Sequence, residues 1–144
     1  ITDYEMTRFF MLIPQAVELV FKAAQLSTGG EIFIFKMPTI KLSDLVRVVI
    51  DEIAPKYQKN PSQIERKIIG IRPGEKLHEL LVSKDEGLST YELKNKYIIY
   101  PHLETSLKSM KNRRGTPLGN KFEGYSSNQN KVWLKVSDIK KLVG

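Results

Sequence analysis

The sequence predicts an α+β fold, on three observations. Two amphipathic stretches carry apolar residues at spacings of three and four, residues 13–26 and 42–53. Several short runs are rich in Ile, Phe, Tyr and Val. Strand-like and helix-like segments do not alternate regularly, which argues against a doubly wound parallel sheet. At 144 residues, with 41% apolar and 27% charged residues, the chain suits one soluble domain with a modest core. One domain is expected over 1–144, with a core over 1–101, a loop or partly disordered stretch over 102–130, and a C-terminal strand and helix over 131–144.

The elements follow in order. Ile13, Ala16, Val17, Val20 and Ala24 mark a helix over Ile13–Leu26. Pro14 is tolerated in its first turn and Gly29-Gly30 closes it. Glu31–Lys36 is short and rich in Ile and Phe, as a buried strand is. Ser43 is placed to cap the next helix. Leu42, Leu45, Val46, Val49, Ile50 and Ile53 form its stripe, and Pro55 stops it. Lys67–Ile71 is predicted as a strand leading into Arg72-Pro73-Gly74, and Glu75–Leu81 as a short helix. Thr90–Leu93 and Tyr97–Tyr100 are further strands, and Val132–Leu134 a small one. Ser137 is expected to cap a last helix over Asp138–Val143. So few strands imply that a neighbouring sheet completes the fold.

Composition narrows the partners. No apolar stretch approaches the ~20 residues a membrane span needs. Ile1–Glu5 is polar and lacks the basic start of a signal peptide. With no cysteine, disulfides and thiolate metal sites are excluded, and a cytoplasmic protein without membrane contact is expected. The net charge of +7 suits an anionic ligand such as a nucleotide diphosphate, and it also suits nucleic acid. Basic residues are dispersed, with small concentrations at Lys108–Arg114 and Lys135–Lys141, and no nucleic-acid-reading motif is present. A basic nucleic-acid-binding module is therefore the weaker alternative.

Two segments could carry chemistry. In Arg72-Pro73-Gly74-Glu75-Lys76-Leu77-His78-Glu79, proline fixes the backbone and glycine permits a tight turn or a close ligand approach. An arginine there can grip phosphate through its planar fork, and a carboxylate three residues on can accept from ribose hydroxyls. The same residues also suit an ordinary strand–turn–helix junction with a surface ion pair. The second segment, Thr7-Arg8-Phe9-Phe10, places another arginine before an aromatic pair and a helix. It equally suits a core aromatic pair beside an exposed arginine.

Taken in order, Thr7-Arg8-Phe9, Gly29-Gly30-Glu31-Ile32-Phe33 and Ile71–Glu79 resemble the extended short-chain dehydrogenases/reductases that act on sugar nucleotides. The tail Tyr125-Ser126-Ser127-Asn128, with Asn130, Trp133-Leu134 and a terminal helix, strengthens the likeness to their polysaccharide-biosynthesis members. These include the inverting UDP-N-acetylglucosamine 4,6-dehydratases and related capsule and flagellin-glycan enzymes. The resemblance covers essentially the whole chain. It implies the small C-terminal substrate-binding domain of such an enzyme, with the Rossmann half absent.

By the same resemblance, Arg72 and Arg8 contact the diphosphate and Glu75 reaches the uridine ribose. The ligand is a UDP-N-acetylhexosamine. The reaction is 4,6-dehydration with NADP or NAD held elsewhere in the enzyme, or else 4-epimerisation or reduction within the same superfamily. No catalytic, cofactor-binding or metal-binding residue is assigned to this chain, because it lacks a Gly-x-x-Gly-x-x-Gly turn and a Tyr-x-x-x-Lys pair. Alone it is expected to bind no cofactor and to be inactive, to join a Rossmann half, and to form a homo-oligomer. His78 and Glu79 are read as packing or local hydrogen-bonding residues, and His102 and Asp85 receive no role.

Overall fold

A computed structural model describes residues 1–101 and 113–143. His102 and part of the 102–130 loop lie outside the described residues. The rest is a mixture of helices and short antiparallel strands, in two compact units. Residues 1–10, 38–79 and 127–143 form one, and residues 11–37, 80–101 and 113–126 the other.

In the first unit, β1 (Thr7–Phe9) pairs antiparallel with β3 (Thr39–Lys41), Arg8 opposite Ile40. On its other side Thr39 bridges in parallel to Trp133, through Thr39 N–H to Val132 O and Leu134 N–H to Thr39 O. The predicted strand over 132–134 is reduced to this bridge. β3 runs directly into helix α2 (Leu42–Ile53). The expected Ser43 cap is not formed. Lys41 is the extended residue before the first turn, and the Leu42 N–H that begins the helix donates to the Met6 carbonyl. The neighbouring chain thus satisfies a donor that helix starts leave open.

Pro55 ends α2 as predicted, and a 3-10 turn over Ala54–Tyr57 follows. The last helix, α3, spans Val136–Val143 and starts before the residue predicted to cap it. Asp138, not Ser137, holds its start, accepting from the Lys135 N–H at 2.9 Å. Ile40, Val48 and Ile139 form the core, with Phe10, Leu45, Leu134, Val136 and Val143 packed around them.

Two predictions on the connecting segment are corrected. Lys67–Ile71 belongs to no strand, and Gly70 within it sits at φ 79°. Its bonds are to Ile1, which donates to Lys67 O and accepts from Ile69 N–H. Ile68, Ile69 and Ile71 remain exposed. A glycine at positive φ inside a β-branched run interrupts the strand that its neighbours would favour. Glu75–Leu81 is not helical either. Gly74 sits at φ 82° with Pro73 before it, and Glu75 N–H donates to Arg72 O at 3.0 Å. Proline then glycine at positive φ makes a type II turn, which reverses the chain where a helix would have continued it.

The second unit contains α1 (Ile13–Leu26), with the predicted bounds, and β2 (Ile32–Phe35). Between them the Glu31 carboxylate accepts from the Thr28 and Gly29 amides and from the Ser27 and Thr28 hydroxyls. Burial pushes this carboxyl up. The bonds from the Thr28 hydroxyl and from the Glu31, Gly29 and Thr28 amides outweigh it and hold the pKa at about 2.

β2 is the edge of an antiparallel sheet ordered β2, β6 (Lys96–Ile99), β5 (Thr90–Glu92), β7 (Thr116–Pro117). The predicted strands at 90–93 and 97–100 appear here, the first one residue shorter at its end and the second one residue earlier. Gly115 leads into β7, where a Cβ would lie 2.6 Å from Glu92 O, so the close approach requires glycine. A separate pair joins β4 (Leu80–Val82) to β8 (Tyr125–Ser126). The Tyr125 hydroxyl accepts from Met37 N–H at 2.9 Å and donates to Met37 O at 3.2 Å. Lys96 is buried with its ammonium over the Phe33 and Phe35 rings. Burial first, then Lys22 and Arg114, pulls its pKa below the usual lysine range.

Candidate functional site

The site candidates all fall in the first unit. The type II turn sets Arg72 and Glu75 at its two ends, and such a turn holds its end Cα atoms within about 7 Å. The turn is locked twice: the Glu75 backbone donates to Arg72 O, and the Glu75 carboxylate accepts from Arg72 N–H at 3.2 Å. Arg72 is exposed, and among the described residues its guanidinium has no hydrogen-bond or ion-pair partner. Glu75 is half-buried. An unengaged guanidinium on a fixed turn offers a two-pronged donor that an anion can approach without breaking existing bonds.

Arg8 is engaged differently. Its Nη1 donates to Thr7 O at 2.7 Å and Leu77 O at 3.1 Å, and its Nη2 to Lys76 O at 2.8 Å. Its Nε lies 3.7 Å from Glu79 Oε1, an ion pair too exposed and too long to add much stability. Of five guanidinium N–H groups, three donate to carbonyls and one faces Glu79. One Nη2 hydrogen is left. The arrangement brings Arg8 to the strand-like run just beyond the Arg72 turn. Arg8 organises that run as much as it could bind anything.

Beneath lies a buried polar network. Thr7 Oγ1 is 2.8 Å from His78 Nδ1 and 2.6 Å from Ser127 Oγ. Ser127 Oγ donates to Thr7 O at 3.2 Å and accepts from Glu79 N–H at 2.9 Å, and Ser127 N–H donates to Glu79 O. Thr7 and Ser127 are almost fully buried. Thr7 N–H also donates to Leu77 O at 3.1 Å. Residues 77–79 are therefore stitched to β1 on one side and to Ser127 on the other. The sequence singled out both Thr7 and Ser127 within longer motifs, but nothing in their spacing of 120 residues announces their contact. Asp85 lies in a 3-10 turn of the other unit. Among the described residues no group of three or more His, Asp or Glu could hold a metal.

Comparison with known proteins gives four findings. Residues 1–101 match the family model described as polysaccharide biosynthesis protein. The chain is 34% identical over 150 residues to a UDP-N-acetylglucosamine 4,6-dehydratase (inverting) of Campylobacter jejuni, covering 99% of this chain and 41% of that protein. It is 52% identical over 102 residues to a Methanocaldococcus jannaschii protein named uncharacterized membrane protein MJ1061, covering 71% of this chain and 31% of that one. Among solved structures, Pen from Bacillus thuringiensis superposes with a TM-score of 0.80 at 33% identity, over 99% of this chain and 39% of that one. The chain thus spans about a third to two fifths of the length of these relatives.

The Methanocaldococcus relative overturns the expectation of a cytoplasmic protein, since a chain 52% identical to this one over 102 residues is named as a membrane protein. The expectation rested on the lack of cysteine, which reports redox conditions and says nothing about attachment to a membrane. No helix among the described residues is long and apolar enough to cross one.

Proposed function

Because the chain belongs to the polysaccharide-biosynthesis family of extended short-chain dehydrogenases/reductases, we propose that it is the small C-terminal part of a nucleotide-sugar-converting enzyme and that it holds the UDP end of UDP-N-acetylglucosamine. The observation that carries this reading is the unengaged Arg72 guanidinium on a doubly locked turn, with Glu75 at the turn's other end. Arg72 contacts the diphosphate through charge-assisted bonds. Glu75 keeps one carboxylate oxygen clear of its bond to Arg72 N–H and accepts from a ribose hydroxyl. Arg8 adds its remaining Nη2 hydrogen to the phosphates while its other donors fix residues 76–79.

The nucleotide is then a handle: binding energy spent far from the reacting carbons holds the hexose in place. The reaction proposed for the whole enzyme is dehydration across C5 and C6 of the hexose. NADP or NAD supplies the hydride chemistry when bound. The residues present here do not fit that cofactor. None of the described strand-to-helix junctions, at 10–12, 41–42 and 127–135, carries the glycines that let a pyrophosphate approach a helix start. Cofactor binding and the catalytic base therefore belong to the remaining polypeptide. Two features of the second unit support a covering partner of that kind: the edge of β2, which no further strand pairs among the described residues, and the apolar stripe Ile13, Val17, Val20 and Phe21 that α1 leaves exposed.

Isothermal titration of UDP-N-acetylglucosamine into the longer polypeptide that carries this chain tests the reading. Arg72→Ala is expected to cost about 1.5–3 kcal/mol of binding, the loss of one charged hydrogen-bonding partner. An unchanged affinity would remove Arg72 from the site and the reading with it.

A further inference from the structure

The network under the turn assigns a further residue to the ligand. Three contacts need a hydrogen apiece: Thr7 Oγ1 with His78 Nδ1, Thr7 Oγ1 with Ser127 Oγ, and Ser127 Oγ with Thr7 O. The two hydroxyls supply two hydrogens. The Glu79 N–H brings its own to a separate contact with Ser127 Oγ. All three contacts are satisfied together only when the third hydrogen sits on His78 Nδ1. Nδ1–H then donates to Thr7 Oγ1, the Thr7 hydroxyl donates to Ser127, and Ser127 donates to the Thr7 carbonyl. The tautomer is fixed by two side chains that are themselves 0–2% exposed, so solvent does not compete for the bonds that set it.

Fixing Nδ1 defines Nε2. In the neutral ring Nε2 carries a lone pair and no hydrogen. Among the described residues it has no partner, and it reaches solvent, since no buried side-chain nitrogen or oxygen is left unbonded. The ring is thus a pinned acceptor, three residues beyond Glu75. It sits within the run that Arg8 holds by the Lys76 and Leu77 carbonyls.

We infer that His78 Nε2 is a ligand-positioning acceptor for a hydroxyl or imide N–H on the nucleoside part of a nucleoside diphosphate. This rests on the nucleotide reading of the Arg72 turn and adds a contact that reading does not contain. It also separates two jobs. Arg72 binds charge, whereas a neutral acceptor selects for a donor in the right place.

The chain has two histidines, His78 and His102, so 15N spectra of their rings are simple to assign. In the full 144-residue chain, His78 is expected to show a proton on Nδ1 and a bare Nε2. Uridine diphosphate should move the Nε2 signal and leave Nδ1 in place. His78→Asn keeps an N–H where Nδ1–H was and has nothing at Nε2. In the longer polypeptide it should keep the wild-type melting temperature and weaken uridine diphosphate binding about three- to tenfold. A proton found on Nε2, an Nε2 signal unmoved by bound uridine diphosphate, or an unweakened His78→Asn variant would each overturn the inference. If binding still depends on Arg72 in those cases, the nucleotide reading survives. If uridine diphosphate does not bind the wild-type protein at all, both fall.

Discussion

Helix α2 and helix α1 have similar lengths and similar apolar stripes, yet the two units use them in opposite ways. α2 buries Val48 completely and packs with Ile40 and with Ile139 of α3 in a closed core. α1 buries no residue. Ala16, Leu19, Ala23 and Leu26 are half-covered, while Val20 and Phe21 are each 67% exposed and Ile13 is 81% exposed. The moment of a helix thus reports which face wants burial, not whether this stretch of chain supplies the cover. The first unit is finished by its own elements; the second presents a helix and a sheet edge whose burial a further body would complete.

The comparison can be broken by mutation. The largest effect is expected for Ile139→Ala, which empties the centre of the first unit and should cost about 2–5 kcal/mol in chemical denaturation. Val20→Ser on α1 is the control, expected to stay within about 0.5 kcal/mol. Equal costs for the two would show that α1 is as buried as α2 and erase the contrast. Ser127→Ala comes next. It leaves the Glu79 N–H without its acceptor while the backbone bond from Ser127 N–H to Glu79 O stays, for about 1–3 kcal/mol. A neutral outcome would mean that the network is not needed by the first unit's fold.

The smallest effect is expected at the exposed end of α1, where the second unit relies on a carboxylate in place of packing. Glu31 has its pKa lowered to about 2 from 4.5, so its stabilisation is present above about 4.5 and is lost as the pH falls towards about 2. Glu31→Gln should therefore lower the thermal midpoint at neutral pH and match wild type near pH ~2. A difference that persists unchanged at low pH would trace the stabilisation to something other than the ionised carboxylate.

Local periodicity carried much of this fold. α1 and α2 were legible because their stripes repeat over three or more turns, β2 and β6 because runs of Ile, Phe and Tyr sit between turn residues, and β5 because Thr90-Tyr91 lies between such residues. Apart from β5, the two- and three-residue strands were not legible. β1, β3, β4 and β8 exist through pairings with distant residues, as Thr7 with Lys41 or Leu80 with Ser126, and no pattern so short predicts a partner. At 72–81 the proline–glycine pair was noticed for its tight turn, but its consequence was missed: the type II turn leads into a bend at Leu77-His78 and then strand β4, where a helix was expected. In the candidate site, the motifs pointed to Arg8, Arg72 and Glu75. The sequence was silent on Arg8 spending its donors on carbonyls, and on the Thr7–Ser127 contact that links the chain's two ends.

The phenol of Tyr125 stands where another strand would otherwise have to be, taking both the amide and the carbonyl of Met37. Heredity weighs unequally on the two partners. Position 37 lends only its backbone to these bonds, so they survive any exchange there except to proline, which has no N–H to give. Position 125 must keep a hydroxyl at the tip of a long flat ring, and the loss of a single oxygen atom would cancel both bonds. A tether written in one residue and read by the main chain of another lets one of its ends drift freely in sequence while the other stays fixed.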